Sequence, residues 1–258
     1  MEPLSGNIHV AIKSWKRAGK VTTADVMPFA SVWVPESQAA EYEKHHPGKV
    51  VAIPDAEDGN LCRKSNAILN RTPAPWTLIV DDDITSIHRF EGRKDSTLTP
   101  AEIAGLIERG FELANAMGVR LWGINQNSDE MAFKPCAPFA LLAPVLGPFN
   151  GHLEPELRYD ETVGGKDDYD FWLQNIRKHR RTLRINKYHY LHDHGSKPGG
   201  FVSMRTMETE RAAVKRMEQK WGKSVFRVGG SPGANRRRDI NPEGNILNSR
   251  ITVPIAGC

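Results

Sequence analysis

The sequence predicts an α/β fold built on a mixed, mainly parallel sheet flanked by helices, and three observations carry that expectation. Short apolar runs alternate with amphipathic segments through the first half, the pattern of a doubly wound sheet. One run, Trp76 to Val80, has no polar alternation except Thr77, which suits a strand buried on both faces. A long helix with clear start and stop signals follows it. With 258 residues, no internal repeat and no low-complexity segment, one domain covering 1–258 is the expectation.

The elements can be justified in order. Ile8 to Ile12 is an apolar run ending in a basic turn, Lys13 to Lys20. Ser31 to Val34 is a second run, with a helix from Ser37 through Tyr42, and Val50 to Ile53 a third, stopped by Pro54. Leu61 to Leu69 has Leu61, Ile68 and Leu69 on one helical face. The Trp76 strand runs into Asp81, Asp82 and Asp83. Thr99, Pro100 and Glu102 then supply an N-cap, a first-turn proline and a capping-box acid. Ile103, Leu106, Ile107, Gly110, Phe111, Ala114 and Met117 repeat at helical spacing until Gly118. Leu121 to Ile124 is the next strand. Phe139 to Leu146 is apolar but broken by Pro144. Asp168 to Ile176 reads as a helix, Leu183 to Tyr190 as a strand and Met204 to Trp221 as a helix. From Gly222 the chain is rich in Gly, Pro, Asn and Arg.

Composition narrows the function classes. Hydrophobic residues make up 39% and charged residues 26%, as in ordinary globular proteins. The net charge of +4 does not by itself indicate nucleic acid. Basic residues do cluster at Arg177, Lys178, His179, Arg180, Arg181 and Arg184, and again at Arg236, Arg237 and Arg238; such runs are solvated faces or phosphate contacts. Cys62, Cys136 and Cys258 have no metal-ligand spacing, and their odd number argues against a disulfide framework, so a reducing cytoplasm is expected. No apolar run approaches the ~20 residues of a membrane span, and the N-terminus has no signal-peptide layout.

Three adjacent carboxylates repel one another, and strand propensity does not ask for them. Just past the C-terminal end of a buried strand, they lie where open α/β sheets bind ligands. Their hard oxygens suit Mg²⁺ or Mn²⁺, which keep positions open for a diphosphate. A solvated acidic turn is the alternative.

Asp81-x-Asp83 at a strand end resembles the Asp-x-Asp motif of GT-A glycosyltransferases. That resemblance implies a nucleotide-sugar-binding half of about 1–125, an acceptor-binding half of about 126–258, and a metal held by Asp81 and Asp83 across the donor diphosphate. It assigns Lys16, Arg17 and Lys20, with Asp81 and Asp82, to the nucleotide-sugar, Gly19 allowing close approach; solvated lysines are the other reading. By position, the helix carrying Arg63, Lys64, Ser65 and Asn66 would contact base and ribose, Lys64 and Asn66 foremost. Gly164-Gly165 leads into Lys166, Asp167 and Asp168, which resembles the acidic motif supplying the acceptor-side base, Asp168 ahead of Asp167. Acids at a helix start are also ordinary caps. His192 and His194, on one side of an extended segment, are candidates for a third metal ligand, His194 preferred. Gly199-Gly200 suits a closing loop.

The ordered set Trp76-Thr-Leu-Ile-Val-Asp-Asp-Asp-Ile, Tyr159-Asp-Glu, Lys166-Asp-Asp-Tyr-Asp, Arg184-Ile-Asn-Lys-Tyr and Gly199-Gly is similar to the TET-associated glycosyltransferases of bacteriophages. The resemblance runs from Ile8 to about Pro254. It implies sugar transfer from a nucleotide-sugar, UDP-linked by expectation, to the hydroxymethyl group of 5-hydroxymethylcytosine or 5-hydroxymethyluracil in DNA. The hydroxymethyl group would come from a TET-type dioxygenase, and the site of action would be the host cytoplasm. Trp122, Phe139, Phe149 and Tyr159 are either base-stacking candidates or core residues. Two other enzyme classes remain open: transfer to a saccharide or protein acceptor, and a metal-dependent phosphoesterase. A non-catalytic DNA-binding relative is the third alternative.

Overall fold

A ten-stranded sheet runs through the molecule in the order β3-β2-β1-β4-β9-β7-β10-β5-β6, with β8 paired to β10. The structure is a computed structural model, and it describes residues 4–92, 94–193, 206–228 and 249–253. The strands are β1 (Ile8–Lys13), β2 (Ser31–Pro35), β3 (Val50–Ile53), β4 (Trp76–Asp81), β5 (Ile84–Glu91), β6 (Lys94–Thr97), β7 (Leu121–Asn125), β8 (Phe139–Ala140), β9 (Phe149–Leu153) and β10 (Leu183–His192). β5, β8 and β9 run against the other seven. A separate ribbon pairs β11 (Phe226–Val228) with β12 (Ser249–Ile251). The helices are α1 (Thr23–Val26), α2 (Glu36–His45), α3 (Asp55–Asp58), α4 (Leu61–Arg71), α5 (Pro100–Ala116), α6 (Asp167–His179) and α7 (Met207–Trp221). No helix among the described residues is long and apolar enough to cross a membrane.

The central strands are buried on both faces, as the Trp76 run predicts. Val10, Ile12, Leu78 and Val80 join one core with Ile107 and Phe111 of α5. Ala11 and Ile79, the intervening residues, join another with Ile68 of α4, Trp172 of α6 and Met217 of α7. The capping box is present: Thr99 Oγ1 accepts from the Glu102 amide and the Glu102 carboxylate from the Thr99 amide. α7 begins at Met207 behind its own N-cap, Thr206, whereas Met204 lies outside the described residues.

Sequence periodicity missed three strands that matter. β5 and β6 form a hairpin directly after the aspartates, and β9 inserts between β4 and β7, antiparallel to both. β9 makes the sheet mixed. Its five residues, Phe-Asn-Gly-His-Leu, are all buried although three are not apolar. Gly151 is needed because a Cβ there would stand 2.1 Å from the Trp122 indole nitrogen. Gly110 of α5 meets the other edge of the same ring, its Cβ position 2.2 Å from a Trp122 carbon. Trp122 is therefore core, and so are Phe149 and Tyr159; Phe139 is exposed.

Gly110→Ala should be destabilising by about 1 kcal/mol or more, although the same change on an open helix face gains about 1 kcal/mol. Urea unfolding measures it, and a gain in stability would contradict the close helix-to-sheet packing described here.

Candidate active site

The C-terminal ends of β1, β4 and β10 converge with the N-terminus of α6. In the parallel register Lys13 is paired with Asp81, so the last residue of β1 stands beside the first aspartate. Lys13 Nζ lies 3.1 Å from Asp81 Oδ1. Burial alone would lower the Lys13 pKa, but Asp81, Asp167 and Asp168 outweigh it and hold the ammonium above the usual lysine value. Sequence reasoning left Lys13 out of the site. Its signal was position, as the strand-end partner of the carboxylate motif.

Asp82 and Asp83 form the turn between β4 and β5, and both are buried. Arg17 Nη1 donates to Asp82 Oδ1 at 2.6 Å and lies 3.6 Å from Asp83 Oδ2. Ser14 Oγ donates to Asp82 Oδ2, and Tyr42 of α2 joins through Ser14 Oγ at 2.7 Å and the Arg17 amide at 2.8 Å. Thr23 ties the turn from the other side: its hydroxyl donates to the Asp81 carbonyl at 2.6 Å and accepts from the Ile84 amide at 2.9 Å. Burial, then repulsion from Asp81 and Asp82, push Asp83 up to about 6, against the pull of His192 and Arg17. The Asp193 amide donates to the Asp83 carbonyl at 3.0 Å, which brings the end of β10 and His192 to the motif.

α6 starts behind a left-handed Gly164 and presents Asp167 and Asp168 in its first turn, where the helix dipole favours anions. The Asp168 carboxylate accepts from the Tyr169 amide at 2.7 Å and the Gly147 amide at 3.2 Å. Burial raises both carboxyls above the usual range, and for Asp167 repulsion from Asp168 adds to it, which moves them toward the proton affinity of a working general base. Asp170, two residues on, does something else. It anchors α7 through Lys220 at 2.8 Å and the Trp221 indole at 2.8 Å.

The structure therefore brings Arg17, Asp81, Asp82, Asp83, Asp167, Asp168 and His192 into one region. Other expected contacts are turned to internal partners. Arg17 and Asp82 neutralise each other instead of facing solvent. Lys64 is buried, hydrogen-bonded to the Ser14 carbonyl and 3.0 Å from Asp58, and burial lowers its pKa. Asn66 clamps the chain at Tyr159, accepting from its amide at 2.8 Å and donating to its carbonyl at 3.0 Å. Arg63 is exposed and pairs with Glu161, and Ser65 is buried. Lys16 and Lys20 are exposed, the Lys16 amide bonding Gln38 at 2.7 Å. His194, Gly199, Gly200 and Arg236 to Arg238 lie outside the described residues. The basic stretch at Arg177 to Arg184 sits around the start of β10, eight residues and roughly 26 Å along the strand from His192.

The donor set fits a hard divalent cation. Asp83 Oδ1 is buried with no hydrogen-bond partner among the described residues, and Asp81 offers a second oxygen beside Lys13. Among the described residues these atoms and His192 are not gathered into one tight trio; that arrangement occurs elsewhere, at His88, Asp95 and His189. An ion at Asp81 and Asp83 would thus need further oxygens from a ligand.

No family model and no curated protein matches the chain. Solved structures do. Glucosyl-3-phosphoglycerate synthase from Mycobacterium tuberculosis, in complex with Mn²⁺, UDP-glucose and phosphoglyceric acid, aligns with a TM-score of 0.54 at 11% identity, over 83% of this chain and 79% of that one. The same synthase with Mn²⁺, UDP and glucosyl-3-phosphoglycerate gives 0.53 at 11% identity, with the same coverage. The chain has a GT-A-type fold. At that identity the likeness is one of fold, and it includes the mixed sheet and the helices on both faces.

Arg17→Met should cost about 3–5 kcal/mol, because it leaves the buried Asp82 charge uncompensated. Arg17→Met with Asp82→Asn should cost less than Arg17→Met alone in urea unfolding. Strict additivity of the two changes would show that the pair is not coupled.

Proposed function

We propose that the chain is a divalent-metal-dependent glycosyltransferase moving a sugar from a UDP-sugar to an acceptor hydroxyl. The observation that carries this reading is the carboxylate pair Asp81 and Asp83 at the C-terminal end of β4, one oxygen of Asp83 buried without a hydrogen-bond partner among the described residues, near two raised carboxyls on α6. The fold neighbours support it, since the synthase named above was crystallised with Mn²⁺ and UDP-glucose. Mn²⁺ held by Asp81, Asp83 and a histidine, either His192 at the end of β10 or His194, which lies outside the described residues, would neutralise charge on the leaving diphosphate.

The chain's own groups divide the remaining work. Arg17 and Ser14 hold Asp82 so that the turn presents Asp83. Lys13 pairs with Asp81, and its charge also offsets those of Asp167 and Asp168. Asp168, steadied by two amides, takes the proton from the acceptor hydroxyl, its proton affinity raised by burial. Lys16 and Lys20, exposed on the turn after β1, would meet a nucleotide from solvent.

The acceptor we propose is a 5-hydroxymethylpyrimidine in DNA, on the ordered motif resemblance from Trp76 to Gly200. A TET-type dioxygenase would supply the hydroxymethyl group.

Excess chelator should abolish transfer and Mn²⁺ should restore it, while Asp83→Ala stays folded and inactive. Asp168→Asn should lose on the order of 10²–10⁴ in rate and keep its affinity for Mn²⁺ and UDP. Full turnover in chelator, or normal turnover of Asp168→Asn, would remove the respective role.

The acceptor is tested by incubating the protein with Mn²⁺, a panel of nucleotide-sugars, and DNA with or without hydroxymethylcytosine, then weighing the digested nucleosides. Only hydroxymethylated DNA should gain a hexose-sized mass. Rapid transfer to a saccharide or polypeptide, with modified DNA untouched, would overturn the acceptor assignment alone.

A further inference from the structure

A second cluster of ligand-type side chains lies beyond the carboxylate motif, on three adjacent strands at the sheet edge. His88 on β5, Asp95 on β6 and His189 on β10 each offer one ligand atom, and these atoms all lie within 4.8 Å of one another. His88 and His189 are directly paired across β5 and β10, and their rings stack at 5.1 Å. Asp95 Oδ2 stands 2.9 Å from His88 Nδ1 and 3.3 Å from His189 Nε2. Tetrahedral ligands bonded at zinc distances are themselves roughly 3.3 Å apart.

Hydrogen bonding accounts for the cluster only in part. Asp95 Oδ2 is within reach of both imidazoles, yet His88 Nδ1 and both ring nitrogens of His189 are buried without a well-directed hydrogen bond among the described residues. Buried nitrogens left in that state are uncommon and costly. His189 is only 1% exposed. Burial first, and His88 second, lower its pKa, which favours the neutral imidazole that binds metals.

The surroundings are those of a supported ligand set. Ser86 Oγ lies 2.8 Å from His88 Nε2, the ring atom on the far side from Asp95. With Nε2–H donating to that hydroxyl, Nδ1 keeps its lone pair for an ion. Phe90 packs on His189 at 4.5 Å and Phe133 on Phe90 at 4.9 Å, giving one side of the cluster an apolar wall. Asp95 is exposed, so the other side opens to solvent.

We propose that His88, Asp95 and His189 form a second, separate metal site that takes a zinc-type transition-metal ion. Two imidazoles and one carboxylate select Zn²⁺, Co²⁺ or Ni²⁺ over Mg²⁺ or Ca²⁺. Three protein ligands leave a fourth position for water. The site is three residues from His192 along β10, about 10 Å, so one ion cannot serve both clusters. An ion there joins β6 to β10 across β5. It fixes the strands that carry Asp83 at the entry to β5 and His192 at the end of β10.

The test uses the full chain without a histidine tag, stripped with chelator and titrated with Co²⁺. One equivalent should bind with intense visible bands, zinc should displace it, and Zn²⁺ should raise Tm. Asp83→Asn should keep the bands, which separates this site from the one proposed for transfer. His88→Gln and Asp95→Asn should lose them; Asp95 is exposed, so its variant should fold even where the His88 variant does not. Absence of the bands in the wild-type chain, or their loss in Asp83→Asn and survival in folded Asp95→Asn, would overturn the assignment.

Discussion

Three consecutive carboxylates at the end of a buried strand are the constraint around which this molecule is arranged. Left alone, Asp81, Asp82 and Asp83 would repel one another in a region of low polarisability. Two cations from the β1 side answer them: Lys13 beside Asp81, and Arg17 against Asp82 and Asp83. The parallel register of β1 and β4 puts Lys13 there, and the 3-residue turn after it returns Arg17. Tyr42, Ser14 and Thr23 then lock the backbone on either side. Compensation is incomplete at Asp83, which keeps a raised pKa and, among the described residues, an oxygen without a hydrogen-bond partner. That residual unmet demand is what a cation-binding site requires.

Much of the fold was legible because β1, β2 and β4, at the centre of its parallel part, are buried on both faces. Val10 to Ile12, Val32 to Val34 and Leu78 to Val80 read as apolar runs for that reason. α5 was legible through its caps and its stripe. β9 was not, since it buries Asn150, Gly151 and His152, residues whose fit depends on Trp122, Tyr159 and Asn150's own bond to the Gly147 carbonyl. β5 hid for a different reason. Its buried residues, Ile84, Ile87 and Phe90, are spaced by three, a helix-like interval in a strand bordered by a hairpin and a bulged neighbour.

The candidate site divides in the same way. Runs of like charge are visible in a sequence, so Asp81 to Asp83 and Asp167 to Asp168 stood out. Charge pairing over long separations is not visible. Arg17 meets Asp82 across 65 positions, and Lys64 meets the Ser14 carbonyl across 50. Both were read as cations facing a ligand, and both are instead buried against the protein. The second cluster, His88 with Asp95 and His189, joins residues that have no shared motif; only the pairing of β10 with β5 and β5 with β6 assembles it.

The central claim is that the carboxylate cluster binds a nucleoside diphosphate through a cation. Calorimetry of UDP binding to the wild-type chain, with Mn²⁺ and then with excess chelator, tests it most directly. The account predicts saturable heat with Mn²⁺, none in chelator, and none for Asp83→Asn under either condition. Equal UDP affinity with and without Mn²⁺, unchanged by Asp83→Asn, would contradict it.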